Sequence, residues 1–335
     1  GQRPHTSSPL TEMADAASLS APRRFASSTN SPLTEIRDPN TFAALVYTPP
    51  QADEPLPLLL YLHGAGESGS RLWDIISEGA TGTPPVELHF GRALPALAQQ
   101  FCVVAPQTAS GWPAQRVQSS ELIRAEKLGK STGLRPRVVP GKRRPKPTKH
   151  MHVASGTPPV ELHFGRALPA LAQQFCVVAP QTASGWPAQR VLAFMRFLLA
   201  AESPLPCRID QRRCYVTGHS MGGSGALEAG TTGCFAAVAP VAAGGMRSPA
   251  SGLQGVPVWL FHGANDAVLP VHCSEATTAA LKALSKGDDL VRFTRYATAP
   301  DPPGYPHATG HASTIPAYAT EALYPWLLSH IKPGH

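Results

Sequence analysis

Cys214-Tyr-Val-Thr-Gly218-His-Ser220-Met-Gly222-Gly223, continuing as Ser224-Gly-Ala-Leu-Glu-Ala229, decides the fold. A β-prone run ends in G-x-S-x-G, and the residues after it can continue as a helix. This predicts a sharp strand-to-helix turn with Ser220 at its apex. Small residues at Gly218 and Gly222 permit the tight backbone, and the helix N-terminus beyond favours developing negative charge. G-x-S-x-G arises often by chance, but between a strand and a helix it makes Ser220 a candidate nucleophile.

Working outward, β-type runs occur at 42–47, 57–62, 175–179 (or the identical 101–105), 213–217, 235–241, 256–261 and 290–296. Several are continuous apolar runs, as expected of strands covered on both faces. Helical patterns lie at 187–201, 221–229, 274–284 and 315–331. In the first of these, Val191, Phe194, Met195, Leu198 and Leu199 follow the i, i+3, i+4, i+7, i+8 spacing of a buried face. Strands alternating with helices predict an α/β class: a mainly parallel central sheet with helices on both faces and functional groups beyond the carboxyl ends of the strands.

Three further stretches suit the chemistry of a nucleophilic serine. Leu58-Leu-Leu-Tyr-Leu-His63-Gly64-Ala65-Gly66-Glu67-Ser68-Gly69 is a buried strand breaking into a glycine-rich loop. Backbone N–H groups of Ala65 and Gly66, with that of Met221, are candidate donors for an oxyanion, Gly64 giving clearance; each such donor is worth roughly 3 kcal/mol of barrier. The bland alternative is a turn or phosphate loop, but no G-K-[ST] follows. Val256-Pro-Val-Trp-Leu-Phe-His262-Gly263-Ala-Asn-Asp266 is a strand followed by a loop with a lone carboxylate. Asp266 by itself would read as a cap or turn residue, but lying between serine and histidine in the chain it can orient an imidazole. Of the five histidines that follow (His272, His307, His311, His330 and His335), only His307 and His311 lie after the last strand and before the final helix, where a general base belongs. His311, after Gly310, is favoured over His307. The order Ser, Asp, His is that of α/β-hydrolases.

The YLHGAGESG loop, the stretch from Asp210 to Gly223, FAAVAPVAAGG, HGANDAVLP, Gly310-His311 and LYPWLLSH together resemble the α/β-hydrolase superfamily. Within it they are most similar to dienelactone-hydrolase-like proteins, phospholipase/carboxylesterase-type enzymes and a group known as predicted esterases or peptidases. The resemblance spans roughly residues 40 to 332 apart from an insert. It implies the α/β-hydrolase fold, a catalytic triad of Ser220, Asp266 and His311, and an oxyanion hole from Ala65 and Met221. True dienelactone hydrolases carry a cysteine where Ser220 stands, which argues against that substrate.

Residues 82–117 recur unchanged at 156–191, an offset of 74 positions. Solenoid repeats diverge, and two copies do not make an array. This pair has the character of a recent duplication or a splicing or gene-assembly error. The 38 residues between the copies, 118–155, hold ten Lys/Arg against two Glu, while the whole chain has a net charge of +7. The remainder is therefore close to neutral, and the basicity lies in a Pro-rich stretch with no aromatic residue to stack a base. Residues 118–155 read as a disordered linker, and no nucleic-acid partner is expected. Without one copy and the linker the chain is 261 residues, an ordinary single domain over 39–332. Either copy could fill the same place in the sheet; the second has the advantage of running directly into a helix.

Residues 1–38 read as a disordered tail; if translation begins at Met13, the Ala/Ser-rich stretch with Arg23 and Arg24 is an alternative organelle-targeting signal to the cytoplasmic expectation. The six cysteines show no C-x-x-C pair or metal-ligand spacing, so reduced thiols, no metal and no cofactor are expected. No run approaches the roughly 20 apolar residues of a membrane span. The leading expectation is hydrolysis of a small-molecule carboxylic ester through an acyl-serine. Thioesterase and peptidase chemistry use the same groups. Two other classes are an inert hydrolase scaffold that binds an acidic partner through the basic segment, and a reading frame whose duplication prevents folding. The short segment between Val241 and Val256 leaves no room for a large lid, favouring short or exposed acyl groups. Nothing in the sequence reads out oligomeric state.

Overall fold

A computed structural model describes residues 31–49, 54–68, 72–90, 174–180, 185–285 and 290–333. All belong to the unit formed by Gly1–Gly111 and Glu161–His335. The expected linker, the second unit Trp112–Val160, and residues 1–30 lie outside the described residues.

Eight strands form one sheet: β1 (Thr34–Arg37), β2 (Ala43–Tyr47), β3 (Leu56–Leu62), β4 (Cys176–Pro180), β5 (Ile209–His219), β6 (Ala237–Val241), β7 (Val258–Gly263) and β8 (Val291–Tyr296). Their order is β1-β2-β4-β3-β5-β6-β7-β8, with β2 antiparallel to both its neighbours and all pairs from β4 to β8 parallel. The helices are α1 (Pro84–His89), α2 (Ala188–Leu198), α3 (Met221–Gly230), α4 (His272–Leu284), α5 (Thr314–Tyr318) and α6 (Leu323–Ser329).

The apolar run of β3 shows why both faces are covered. Every residue of the strand is buried. Leu58, Leu60 and Leu62 enter one core with Val191, Phe194, Met195 and Leu198 of α2 and Ala226 and Leu227 of α3. Leu59 and Tyr61 point the other way, into a second core with Val86 and Leu88 of α1, Tyr318 of α5 and Tyr324 and Leu327 of α6. Alternate side chains of one strand thus feed two apolar layers, and a polar residue anywhere along it would be stranded.

The expected strands and the helices at 187–201, 221–229 and 274–284 are present with boundaries shifted by a few residues. Leu199, expected on the buried face of α2, is instead its half-buried C-terminal cap. Two expectations are corrected. The tail expected over 1–38 is too long, because residues 34–37 pair with β2 as an edge strand. Its only buried side chain is Ile36, so it carries no hydrophobic signal. The single final helix expected over 315–331 is broken into α5 and α6. Pro325 has no N–H for the carbonyl of Glu321, so it fits the first turn of α6 but not the interior of one helix continuous from α5. The Tyr324 hydroxyl instead donates to the carbonyl of Tyr318 at 3.1 Å, closing the bend.

The duplicated segments share the work. The first copy supplies α1, and the second supplies β4 and the start of α2. β4 inserts between β2 and β3, with Val177 opposite Tyr47 on one side and Leu59 on the other.

Two predictions follow from this packing. A Cβ at Gly222 would lie 1.8 Å from the carbonyl oxygen of Leu62, whereas one at Gly233, φ +73°, would meet nothing within 4 Å. Gly222→Ala is expected to cost about 3 kcal/mol or more and Gly233→Ala about 1 kcal/mol, read from denaturant midpoints. Deleting residues 118–191 joins the first copy to α2, and its identical run at 102–106 then takes the place of β4. That shortened chain is expected to unfold cooperatively with a midpoint no lower than that of the full chain.

Candidate active site

The apex serine sits where the sequence predicts it, between the end of β5 and the first residue of α3. Ser220 has φ 57° and ψ −117°, a region open mainly to glycine, and one of two non-glycine residues with positive φ among those described. Such a conformation costs of order 1–3 kcal/mol and persists only where the surroundings over-determine it. Here its N–H donates to the carbonyl of Val241 at 2.9 Å, and its own carbonyl accepts the N–H of Ser224 at 3.1 Å. The glycines on either side are needed for space. A Cβ at Gly218 would come within 2.5 Å of the carbonyl oxygens of Leu62 and Gly222.

Parallel pairing of β5 with β6, and the neighbouring strands β7 and β8, bring the loops beyond their carboxyl ends to one edge. Three chain-distant residues meet there. His311 Nε2 is 2.9 Å from Ser220 Oγ, and His311 Nδ1 is 2.7 Å from Asp266 Oδ2. A carboxylate can only accept, so Nδ1 carries the proton and Nε2 faces the serine hydroxyl as an acceptor. His307 is exposed on the same loop and plays no part in this contact.

Asp266 is buried and its two oxygens take four donors. Oδ1 accepts the N–H groups of Val268 and Leu269, each at 2.9 Å. Oδ2 accepts from His311 and, at 3.3 Å, from His262 Nε2. Burial on its own would push the carboxyl up; the hydrogen bonds from His262 and His311 outweigh it and hold the group well below the usual carboxylate range. His262 Nε2 also donates to the carbonyl of Leu269 at 2.8 Å, and Nδ1 meets Ser274 Oγ at 2.8 Å. The ring of His262 therefore fixes the loop that presents the acid.

His219, the residue before the serine, has a matching part. Its Nε2 donates to the backbone carbonyl of His311 at 2.8 Å, and the two rings lie 4.7 Å apart. Burial, followed by the nearby His311, lowers it to about 3, so it stays neutral. Sequence reasoning missed His262 and His219 as supports. Each lies inside a quoted motif, but nothing local shows which distant carbonyl its ring will meet.

The glycine-rich loop after β3 forms a short 3-10 turn, Ala65–Glu67, beside the elbow; Leu62 pairs with Gly218. Ala65 and Gly66 are exposed, and as the first residues of the turn their N–H groups have no partner within it. Met221 is half-buried, and at the start of α3 its N–H likewise has no partner within the helix. Gly64 is close-packed, since a Cβ there would sit 3.0 Å from Glu67 Oε2 and 3.3 Å from His219 Nδ1. Glu67 is buried, and burial pushes its carboxyl up against the opposing pull of backbone N–H groups of its own residue and Gly64.

No helix among the described residues is long and apolar enough to cross a membrane, and none of their His, Cys, Asp and Glu residues cluster as a metal site. The five described cysteines are not joined in disulfides; Cys102 lies outside the described residues.

Residues 172–284 match the family model described as PETase: PET hydrolase-like. The matched segment holds the elbow and Asp266 and ends before His311. No curated protein matches the chain. Among solved structures, a thermostable esterase superposes with a TM-score of 0.53 at 20% identity, the alignment covering 90% of this chain and 62% of that one. A protein of Klebsiella pneumoniae subsp. pneumoniae to which dienelactone hydrolase activity is ascribed superposes with a TM-score of 0.45 at 14% identity, covering 89% of this chain and 98% of that one. The chain has the α/β-hydrolase fold.

Burial of two neutral histidines sets a pH dependence. His63 is lowered to about 4 by burial and His219 to about 3, against an ordinary value of 6.5. Between these values the unfolded chain binds the extra protons, so stability rises with pH up to about 6.5. Asp266, held low, contributes stability that is fully present above about pH 4 and is lost as the pH falls below that, so it does not alter the comparison at higher pH. Unfolding free energy at pH 5 is therefore expected to fall below that at pH 7.5 by roughly 2 kcal/mol for each histidine. His219→Gln is expected to remove about half of that slope in denaturant titrations.

Proposed function

We propose that this protein is a serine hydrolase that cleaves carboxylic esters through an acyl-serine at Ser220. The observation that carries the reading is the continuous contact from Asp266 through His311 to Ser220, with the imidazole proton held on the acid side. His311 Nε2 takes the Ser220 proton as Oγ attacks the ester carbonyl carbon. The carbonyl π electrons move onto oxygen, where N–H groups of Ala65, Gly66 and Met221 meet the charge. Asp266 stabilises the imidazolium, which then protonates the departing alkoxide as the C–O bond breaks. Water repeats the sequence, with His311 as base, and releases the acid.

The choice of an ester is supported by the PET hydrolase-like match over residues 172–284 and by a fold shared with a thermostable esterase. The mechanism calls for no metal or cofactor.

Turnover of p-nitrophenyl acetate and butyrate tests the proposal. Ser220→Ala and His311→Ala are each expected to lower kcat by about 10⁴-fold or more, and Asp266→Asn by about 10³- to 10⁴-fold. Full turnover in Ser220→Ala would overturn the serine mechanism. Absence of turnover on these and longer esters by the folded protein would overturn ester as the substrate.

A further inference from the structure

The segment that delivers His311 is tied down along its whole length. Ala299 N–H donates to Asn265 Oδ1 at 2.7 Å, and Asn265 Nδ2 returns a bond to the Ala299 carbonyl at 3.0 Å. Gly310 N–H donates to Asp301 Oδ1 at 2.7 Å, and Ala267 N–H to the carbonyl of Thr309 at 2.9 Å. Consecutive turns, Tyr305 to Pro302, Ala308 to Tyr305 and His311 to Ala308, run at 3.0 to 3.1 Å. The base and the acid therefore move as one piece, and Tyr305 is the far end of that piece.

Tyr305 reaches across to the turn after β3. Its hydroxyl donates to the carbonyl of Gly66 at 3.0 Å. Its ring lies against two glycines: a Cβ at Gly66 would come within 2.8 Å of its oxygen, and one at Gly79 within 2.2 Å of its ring. Both glycines are thus required by the ring. Burial, and then Glu67, push the phenol up, so the hydroxyl remains a donor. Gly66 has no side chain with which to hold its own backbone. Its turn is closed by the Ser68 N–H to the Ala65 carbonyl at 3.2 Å, and Tyr305 supplies the outer hold.

We propose that Tyr305 is a positioning residue for ester cleavage, strapping the oxyanion turn at Ala65 and Gly66 to the loop that carries His311. The two halves of the machinery come from opposite sides of the serine: the base from beyond β8, the amide donors from beyond β3. Proton transfer and oxyanion stabilisation occur in the same transition state, so an error in their relative placement costs rate and leaves ground-state binding nearly untouched. The inference rests on the serine-hydrolase reading.

The test compares the full chain with Tyr305→Phe, which keeps the ring between Gly66 and Gly79 and removes only the hydroxyl. Two readouts are taken at a temperature where circular dichroism shows both proteins folded: kcat and KM on p-nitrophenyl butyrate, and the second-order rate of Ser220 labelling by an alkyl fluorophosphonate. Expected is a fall in kcat of about tenfold, the size of one net hydrogen bond, with KM within about twofold. Labelling is expected to slow by a similar factor, because the phosphoryl oxygen develops charge in the same hole. A merely structural role would lower the thermal midpoint and leave these two rates equal to wild type at the lower temperature. Tyr305→Phe with both rates within about twofold of wild type overturns the strap and leaves the hydrolase reading standing. A wild-type chain that the probe does not label overturns both.

Discussion

Among the described glycines the tightest constraint is the contact between Gly222 and the carbonyl of Leu62, where not even a methyl group fits. It sets how closely α3 can approach the end of β3, and so where the strained residue between β5 and α3 must sit. Ser220 is held in a conformation few side chains adopt because β6 takes its N–H and Ser224 takes its carbonyl. The strain is sustained by the burial of β3 and β5 in two apolar cores, far larger in total than its cost of order 1–3 kcal/mol. The same closeness puts the turn at Ala65 alongside Ser220, so one packing distance sets the relation between the serine hydroxyl and the exposed amides of that turn.

Electrostatics are arranged around one fixed charge. Asp266 receives two backbone N–H groups on one oxygen and two imidazoles on the other, which suits a carboxylate kept ionised while buried. His262 and His219 are supports of different kinds. The first fixes the Asp266 loop through the Leu269 carbonyl and Ser274, and the second fixes His311 through its carbonyl. A neutral imidazole suits the second task, since His219 binds its acceptor without adding a charge beside the His311 ring.

The duplication is accommodated by dividing labour between identical segments. PPVELH is used as α1 from the first copy and CVVAP as β4 from the second. Choosing the other copy for β4 would move the long connection from before the strand to after it, at nearly equal loop length. Loop-closure entropy rises only with the logarithm of length, so it does not discriminate between the two. The arrangement adopted keeps the connection from β4 to α2 short.

The three residues that meet, Ser220, Asp266 and His311, were legible in the sequence because each stands at a distinctive local position: a serine between two glycines at a strand end, a carboxylate just past a strand, a histidine before the closing helix. The apolar runs of β3, β4 and β6 were legible for a similar reason, as a strand buried on both faces leaves little room for polar residues. Only the tertiary structure decided that His311 rather than His307 reaches Ser220, and that residues 34–37 form an edge strand with one buried side chain. It also decided that the closing helix breaks ahead of Pro325 and that the second copy fills the sheet. The partners of His219, His262 and Tyr305 belong to the same group. His219 and Tyr305 meet a carbonyl 92 and 239 positions away, and no local pattern encodes such a meeting. Periodicity reports which face of an element is buried; which distant group waits on that face is settled only when strands from across the chain are laid side by side.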